Sequence, residues 1–132
     1  MEKNKGRILC VDDDKDTRDM MTALLGLEGY EVVQAQNVAE GLSFGMAENF
    51  DLILLDWFFE DGTGIDLCNT LRSRSAPTPI LFYSGVDNRD EIESAMRAGA
   101  QGFLIKPVDF DDLLHSVARL VRHEPDRYRA AS

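Results

Sequence analysis

The stretch Asp51-Leu-Ile-Leu-Leu-Asp56 is an apolar run that stops at a carboxylate. An earlier run, Ile8-Leu9-Cys10-Val11, stops the same way at Asp12-Asp13-Asp14. Runs with no polar alternation fit strands covered on both faces, as in a parallel sheet. In open sheets of that kind, ligands bind outside the carboxyl ends of the strands. Carboxylates gathered at such an edge repel one another unless a cation sits among them. The two runs together point to a divalent-metal site, with Asp56 as a candidate nucleophile inside it.

Outward from these runs, short β-branched or leucine-rich segments alternate five times with helical patterns. Strands are expected at 7–11, 31–35, 51–55, 79–83 and 102–105. Helices are expected at 15–28, 38–48, 64–73, 88–98 and 110–121. This alternation implies right-handed βαβ units and a doubly wound α/β sheet with helices on both faces. Asn37 with Glu40, and Asp109 with Asp112, have the spacing of capping boxes. Gly29 and Gly99 suit the left-handed position after a helix. The last helix has the clearest apolar stripe, Phe110, Leu113, Leu114, Val117, Leu120 and Val121. The second helix carries Gly41 and Gly45 and should be the least stable.

The chain has 132 residues and fits one domain, expected over 1–123, with a polar tail or linker stub over 124–132. Its formal net charge of −10 disfavours direct contact with nucleic acid phosphates. Cys10 and Cys68 have neither metal-ligand nor disulfide-framework spacing, and read as reduced packing residues of a cytoplasmic protein. The polar start shows no signal peptide, and no apolar run approaches the length of a membrane span. The basic residues Arg122, Arg127 and Arg129 suit either a linker or dipole partners at the end of a helix.

Asp12, Asp13 and Asp56 converge if their two strands are neighbours. An all-oxygen donor set suits Mg²⁺. Asp14 and Asp16 read instead as acids that open the first helix and complement its dipole. The fourth strand ends at Ser84-Gly85 and the fifth at Lys106-Pro107, so a hydroxyl and an ammonium face the acids. Carboxylates, metal, lysine and hydroxyl together meet the needs of phosphoryl transfer to an aspartate. A cis bond before Pro107 would aim Lys106 inward.

The segments Val11-Asp-Asp-Asp14, Leu54-Leu-Asp56, Asp61-Gly-Thr-Gly64, Tyr83-Ser-Gly85, Gly99-Ala-Gln-Gly102 and Lys106-Pro107 fall in order over about residues 6–122. With them the chain resembles the receiver (CheY-like) domain of two-component response regulators. The resemblance implies a five-stranded parallel sheet of order 2-1-3-4-5 with five helices. It implies Asp56 as phosphoacceptor, fed by a sensor histidine kinase, a histidine phosphotransfer protein or a small acyl phosphate. Asp13, Asp56 and the backbone carbonyl of Phe58 would bind Mg²⁺ directly, and Asp12 through a water. Lys106 would contact a phosphoryl oxygen, and Ser84 would swing towards the phosphoryl group with the Phe103 rotamer following it. The domain would not be an enzyme beyond its own phosphorylation and slow autodephosphorylation. Its readout face, including Asp90, Glu91, Met96, Arg97, Asp111 and Arg119, would address a downstream protein or an output domain missing from this chain.

Three departures from the family pattern bear on behaviour. Glu60 stands where proline is common, Phe103 replaces a common tyrosine, and apolar Phe58 and Val86 stand where side chains gate water. The last predicts slow dephosphorylation, while packing within the loop is the plainer role for Phe58 and Phe59. Trp57, beside the phosphoacceptor, should report Mg²⁺ binding by fluorescence. Two rival readings are a docking module indifferent to phosphorylation and a phosphohydrolase of the haloacid dehalogenase type. The second needs an aspartate two residues after the nucleophile, where Phe58 stands.

Overall fold

The computed structural model describes residues 4–124. The elements in chain order are β1 (Gly6–Val11), α1 (Lys15–Leu27), β2 (Tyr30–Ala35), α2 (Val38–Ala47), β3 (Leu52–Leu55), β4 (Phe58–Phe59), β5 (Gly62–Thr63), α3 (Gly64–Ser73), β6 (Ile80–Ser84), α4 (Arg89–Arg97), β7 (Gly102–Ile105) and α5 (Phe110–Val121). Five strands form one sheet in the order β2-β1-β3-β6-β7, with every pairing parallel. This is the expected doubly wound order. Most of the expected tail, residues 125–132 with Arg127 and Arg129, lies outside the described residues. Arg122 caps the end of α5 and pairs with Glu124 at 3.0 Å.

Side-chain alternation along the strands splits the core into two layers. Leu9, Val11, Ile53, Leu55, Ile80, Phe82 and Phe103 face a layer closed by α2, α3 and α4. Ile8, Cys10, Leu52, Leu54, Leu81 and Leu104 face a second layer closed by α1 and α5. Both faces of β3 are buried, which is why that strand needs four apolar residues in succession.

The two glycines of α2 have a packing reason. A Cβ at Gly41 would come within 2.8 Å of Leu67 Cδ2 and 3.1 Å of Val11 Cγ1, and one at Gly45 within 3.2 Å of Leu71 Cδ2. Their helix-propensity cost is accepted because the helix lies close against α3 and β1. Gly29 and Gly99 take φ of 101° and 113° after α1 and α4, as expected. Cys10 and Cys68 are buried and free, and the Cys68 thiol donates to Ala98 O at 3.3 Å.

Both expected capping boxes need correction. Asn37 accepts from Glu40 N at 2.8 Å, but Glu40 reaches back to the N–H of Gln36, not of Asn37. Asp109 accepts from Asp111 N rather than from Asp112. The complete box is at α3, where Thr63 accepts from Asp66 N and Asp66 accepts from Thr63 N. The β4–β5 hairpin was also not expected, since two-residue strands carry no periodic signal.

Candidate functional site

Strand ends β1 and β3 are neighbours, with Val11 paired to Leu55. The next residues, Asp12 and Asp56, therefore emerge side by side. One carboxylate oxygen each from Asp12, Asp13 and Asp56 lie within 4.8 Å of one another. Asp12 is 3% exposed and accepts from Asp14 N at 2.8 Å. Asp14 caps α1 by accepting from Thr17 N, as expected of an acid at that place. Asp56 Oδ1 accepts from Trp57 N at 2.7 Å.

Lys106 enters from β7. Its Nζ lies 3.7 Å from Asp12 Oδ2 and 3.8 Å from Asp56 Oδ2. The peptide bond from Lys106 to Pro107 is cis. One ammonium against three carboxylates leaves the cluster strongly negative. Burial raises the carboxyls of Asp12 and Asp56 above the ordinary range, against the pull of a backbone N–H and of Lys106. Burial likewise pushes the Cys10 thiol, just below the site, up to about 12. Oxygen-only donors, partial burial and uncompensated charge fit a hard divalent cation such as Mg²⁺.

Ser84 is 2% exposed at the end of β6, and its Oγ accepts from Val86 N at 3.2 Å. It continues the alternation of Ile80 and Phe82, so it belongs to the α2–α3–α4 layer. Asp12, Asp56 and Lys106 continue the opposite alternation. Phe103 is already inward at 2% exposure, stacked on Phe82 with centroids 5.5 Å apart and 6.0 Å from buried Trp57. Phe58 and Phe59 divide: Phe59 is packed in the core, while Phe58 is 63% exposed in β4, two residues beyond Asp56.

Three supporting contacts were not foreseen in the sequence. Arg18 of α1 donates from Nη1 to the Asp12 carbonyl at 2.8 Å and from Nε to Gln34 at 3.0 Å. Asp61 of the hairpin accepts from Val38 N and Ala39 N, each at 3.0 Å, tying the loop that follows Asp56 to the start of α2. Those N–H groups hold its carboxyl below the ordinary range. Tyr83 lies under Lys106, with Nζ 4.9 Å from the ring centroid. Asp61 and Tyr83 stand in segments already quoted from the sequence, though nothing in those segments showed what they touch, and Arg18 had no signal. The Asp61 contact joins segments 22 and 23 residues apart, and the Arg18 contact runs from a helix side chain to a carbonyl six residues back. Gly64 completes the floor: its N–H donates to Trp57 O at 2.7 Å, and a Cβ there would run into the Asp56 carbonyl and the Phe82 ring.

The profile of the response regulator receiver domain matches residues 8–118. The chain belongs to this family. Among its relatives, the response regulator protein PilR of Pseudomonas aeruginosa is 34% identical over 119 residues, covering 90% of this chain and 27% of PilR. A solved CheY-like receiver domain protein from Methanospirillum hungatei has a TM-score of 0.83 at 31% identity, covering 88% of this chain and 93% of that one. The response regulator TrrA of Thermotoga maritima, solved in complex with Mg²⁺ and BeF, has a TM-score of 0.78 at 28% identity, covering 91% of this chain and 99% of TrrA. This receiver domain spans about half or less of the length of the curated relatives it matches. Receiver domains are the signalling modules of two-component response regulators. Among the described residues, no helix is long and apolar enough to cross a membrane.

Proposed function

We propose that Asp56 accepts a phosphoryl group in a Mg²⁺-dependent reaction and that its modification switches a protein-interaction face. The observation that carries this is the meeting of Asp12, Asp13 and Asp56 within 4.8 Å, with Lys106 Nζ beside two of them. The donor is a phosphohistidine of a sensor histidine kinase or histidine phosphotransfer protein, or a small acyl phosphate. An Asp56 carboxylate oxygen forms a bond to phosphorus as the bond from phosphorus to the donor's nitrogen or oxygen breaks. The leaving electron pair returns to the donor atom. A phosphohistidine with its proton on the other ring nitrogen leaves as neutral imidazole.

Asp12, Asp13, Asp56 and the Phe58 carbonyl would hold Mg²⁺, which when bound offsets the charge of the phosphoryl oxygens. The fixed N–H of Trp57 orients the Asp56 carboxylate. Lys106 offers its ammonium to a phosphoryl oxygen. Ser84 gives up its bond to Val86 N and donates its hydroxyl to another. These contacts favour one conformation of the face formed by α4, β7 and α5, and a partner that prefers it reads the signal. That reader is a downstream protein or an output domain of a longer polypeptide. Exposed apolar Phe58, with Val86, leaves the attacking water unoriented, so autodephosphorylation is slow. The receiver domain is assigned to 1–123, the remainder to a tail or linker, and the site of action to the cytoplasm.

Incubation with phosphoramidate or acetyl phosphate and Mg²⁺, followed by intact mass, should show one added phosphoryl group. Asp56→Asn and chelation of the metal should each abolish it. An unchanged mass for the wild-type protein would overturn the proposal and favour the docking module indifferent to phosphorylation.

A further inference from the structure

Lys106 is loosely held by its acids. At 3.7 Å and 3.8 Å from Asp12 and Asp56, its Nζ is beyond hydrogen-bond length to either carboxylate. A lysine stem is flexible and its ammonium a point charge, so attraction at that range does not fix its position. What lies close is an aromatic face, the Tyr83 ring, 4.9 Å from Nζ to centroid. That is within cation–π range.

The placement follows from the fold. Tyr83 pairs with Leu104 in the parallel register of β6 and β7. Lys106 continues the alternation of Leu104, so both side chains rise on the α1–α5 side of the sheet, where Asp12 and Asp56 also stand. Tyr83 is half-buried and packed against the apolar layer beneath. Its ring also lines the recess shared by Asp12, Asp56, Thr17 and Met21. Burial raises its phenol, which therefore stays neutral.

We propose that Tyr83 is a positioning residue for Lys106, its ring face serving as a platform that keeps the ammonium between Asp12 and Asp56. This rests on the phosphoacceptor reading above, in which Lys106 must meet an incoming phosphoryl oxygen. The ring does the positioning and the hydroxyl has no part in it. Phenylalanine will therefore replace Tyr83, and leucine, apolar but without a π face, will not.

The test compares wild type, Tyr83→Phe and Tyr83→Leu. The first readout needs no metal. The chain has four lysines, and Lys106→Arg identifies which side-chain NMR signal is Lys106. In wild type and Tyr83→Phe, ring current should move the Lys106 ε-methylene protons upfield of the other lysines. In Tyr83→Leu they should return to the ordinary position. The second readout is the rate of phosphorylation by phosphoramidate with Mg²⁺. Tyr83→Leu should be roughly fivefold slower, within the range of a partly desolvated cation–π contact, and Tyr83→Phe should match wild type. Equal rates in all three proteins would overturn the positioning role while leaving Asp56 as phosphoacceptor. A Lys106 signal unmoved by Tyr83→Leu, or a Tyr83→Phe variant as slow as Tyr83→Leu, would also overturn it. Failure of the wild type itself to be phosphorylated would remove the phosphoacceptor reading and the positioning role with it.

Discussion

The N–H of Trp57 donates to Asp56 Oδ1 at 2.7 Å, so the carboxylate at the centre of the acid cluster is held by its own chain neighbour. The indole attached to that peptide is buried 5.5 Å from Phe82, centroid to centroid. Charge arriving at Asp56 therefore acts directly on the environment of the chain's single tryptophan. Mg²⁺ titration should change Trp57 emission in a saturable way. Asp13→Asn should weaken the apparent affinity by at least about tenfold, since even indirect supports of a metal site cost that much. A saturable change of equal midpoint in the variant would remove Asp13 from the metal site.

The raised carboxyls of Asp12 and Asp56 set a second expectation. A folded-state value above the ordinary 3.8 means that folding disfavours the ionised form. Without metal, each group therefore costs stability once ionised. That cost fades as pH falls from the raised value towards the ordinary one. Metal-free Asp12→Asn should melt above wild type at neutral pH, and the gap should close through this window. Mg²⁺ at ten times its dissociation constant should add about 1.4 kcal/mol to wild type, or roughly 3–6 °C in a domain of this size. The gain should shrink at low pH as protons compete. Thermal melts of the two proteins from neutral to acid pH check this, and a less stable metal-free Asp12→Asn at neutral pH would contradict it.

Phe58 offers a clean kinetic test because its ring is mostly in water. Replacing an exposed side chain there should alter stability by no more than about 0.5 kcal/mol. Phe58→Asn should nevertheless shorten the phosphorylated lifetime by about tenfold, since an amide can orient water and a phenyl ring cannot. Loss of the added mass with time gives the lifetime, and an unchanged half-life would return Phe58 to a purely structural role.

Gly64 and Thr63 should separate packing from capping. Gly64→Ala drives a methyl into the Asp56 carbonyl and to within 2.6 Å of Phe82 Cε2. It should cost about 1–3 kcal/mol, as overpacking does, and should weaken Mg²⁺ binding by displacing Asp56. Thr63→Ala removes one half of the α3 capping box and should cost about 1 kcal/mol, with Mg²⁺ affinity retained. Urea unfolding paired with Trp57 titration distinguishes the two outcomes.

The strands and the acids at their tips were legible in the residues themselves, while the sheet order that makes β1 and β3 neighbours came from the resemblance to receiver domains. An apolar run buried on two faces cannot hide its end, and consecutive βαβ units leave few topologies open. The supports of the site were not legible. Arg18 reaches the Asp12 carbonyl from a helix face, and Asp61 reaches α2 across 23 residues of chain. Neither contact has a local pattern, since a guanidinium or a carboxylate on a surface segment reads the same whether or not it holds another element. The capping boxes failed for a related reason. Spacing names the residues able to cap, but the backbone decides which N–H each carboxylate meets.

The split between Asp56 and Ser84 has a consequence for how a signal would travel. The two residues belong to opposite sides of one hydrogen-bonded wall, and parallel strands paired along their length leave little freedom for that wall to deform. A group fixed to Asp56 that also engaged Ser84 would straddle the rim. It would couple the carboxylate side to the ring stack of Phe82, Phe103 and Trp57 without any side chain passing through the sheet. The message would go over the top, and the rigidity of the barrier beneath would keep it from dissipating.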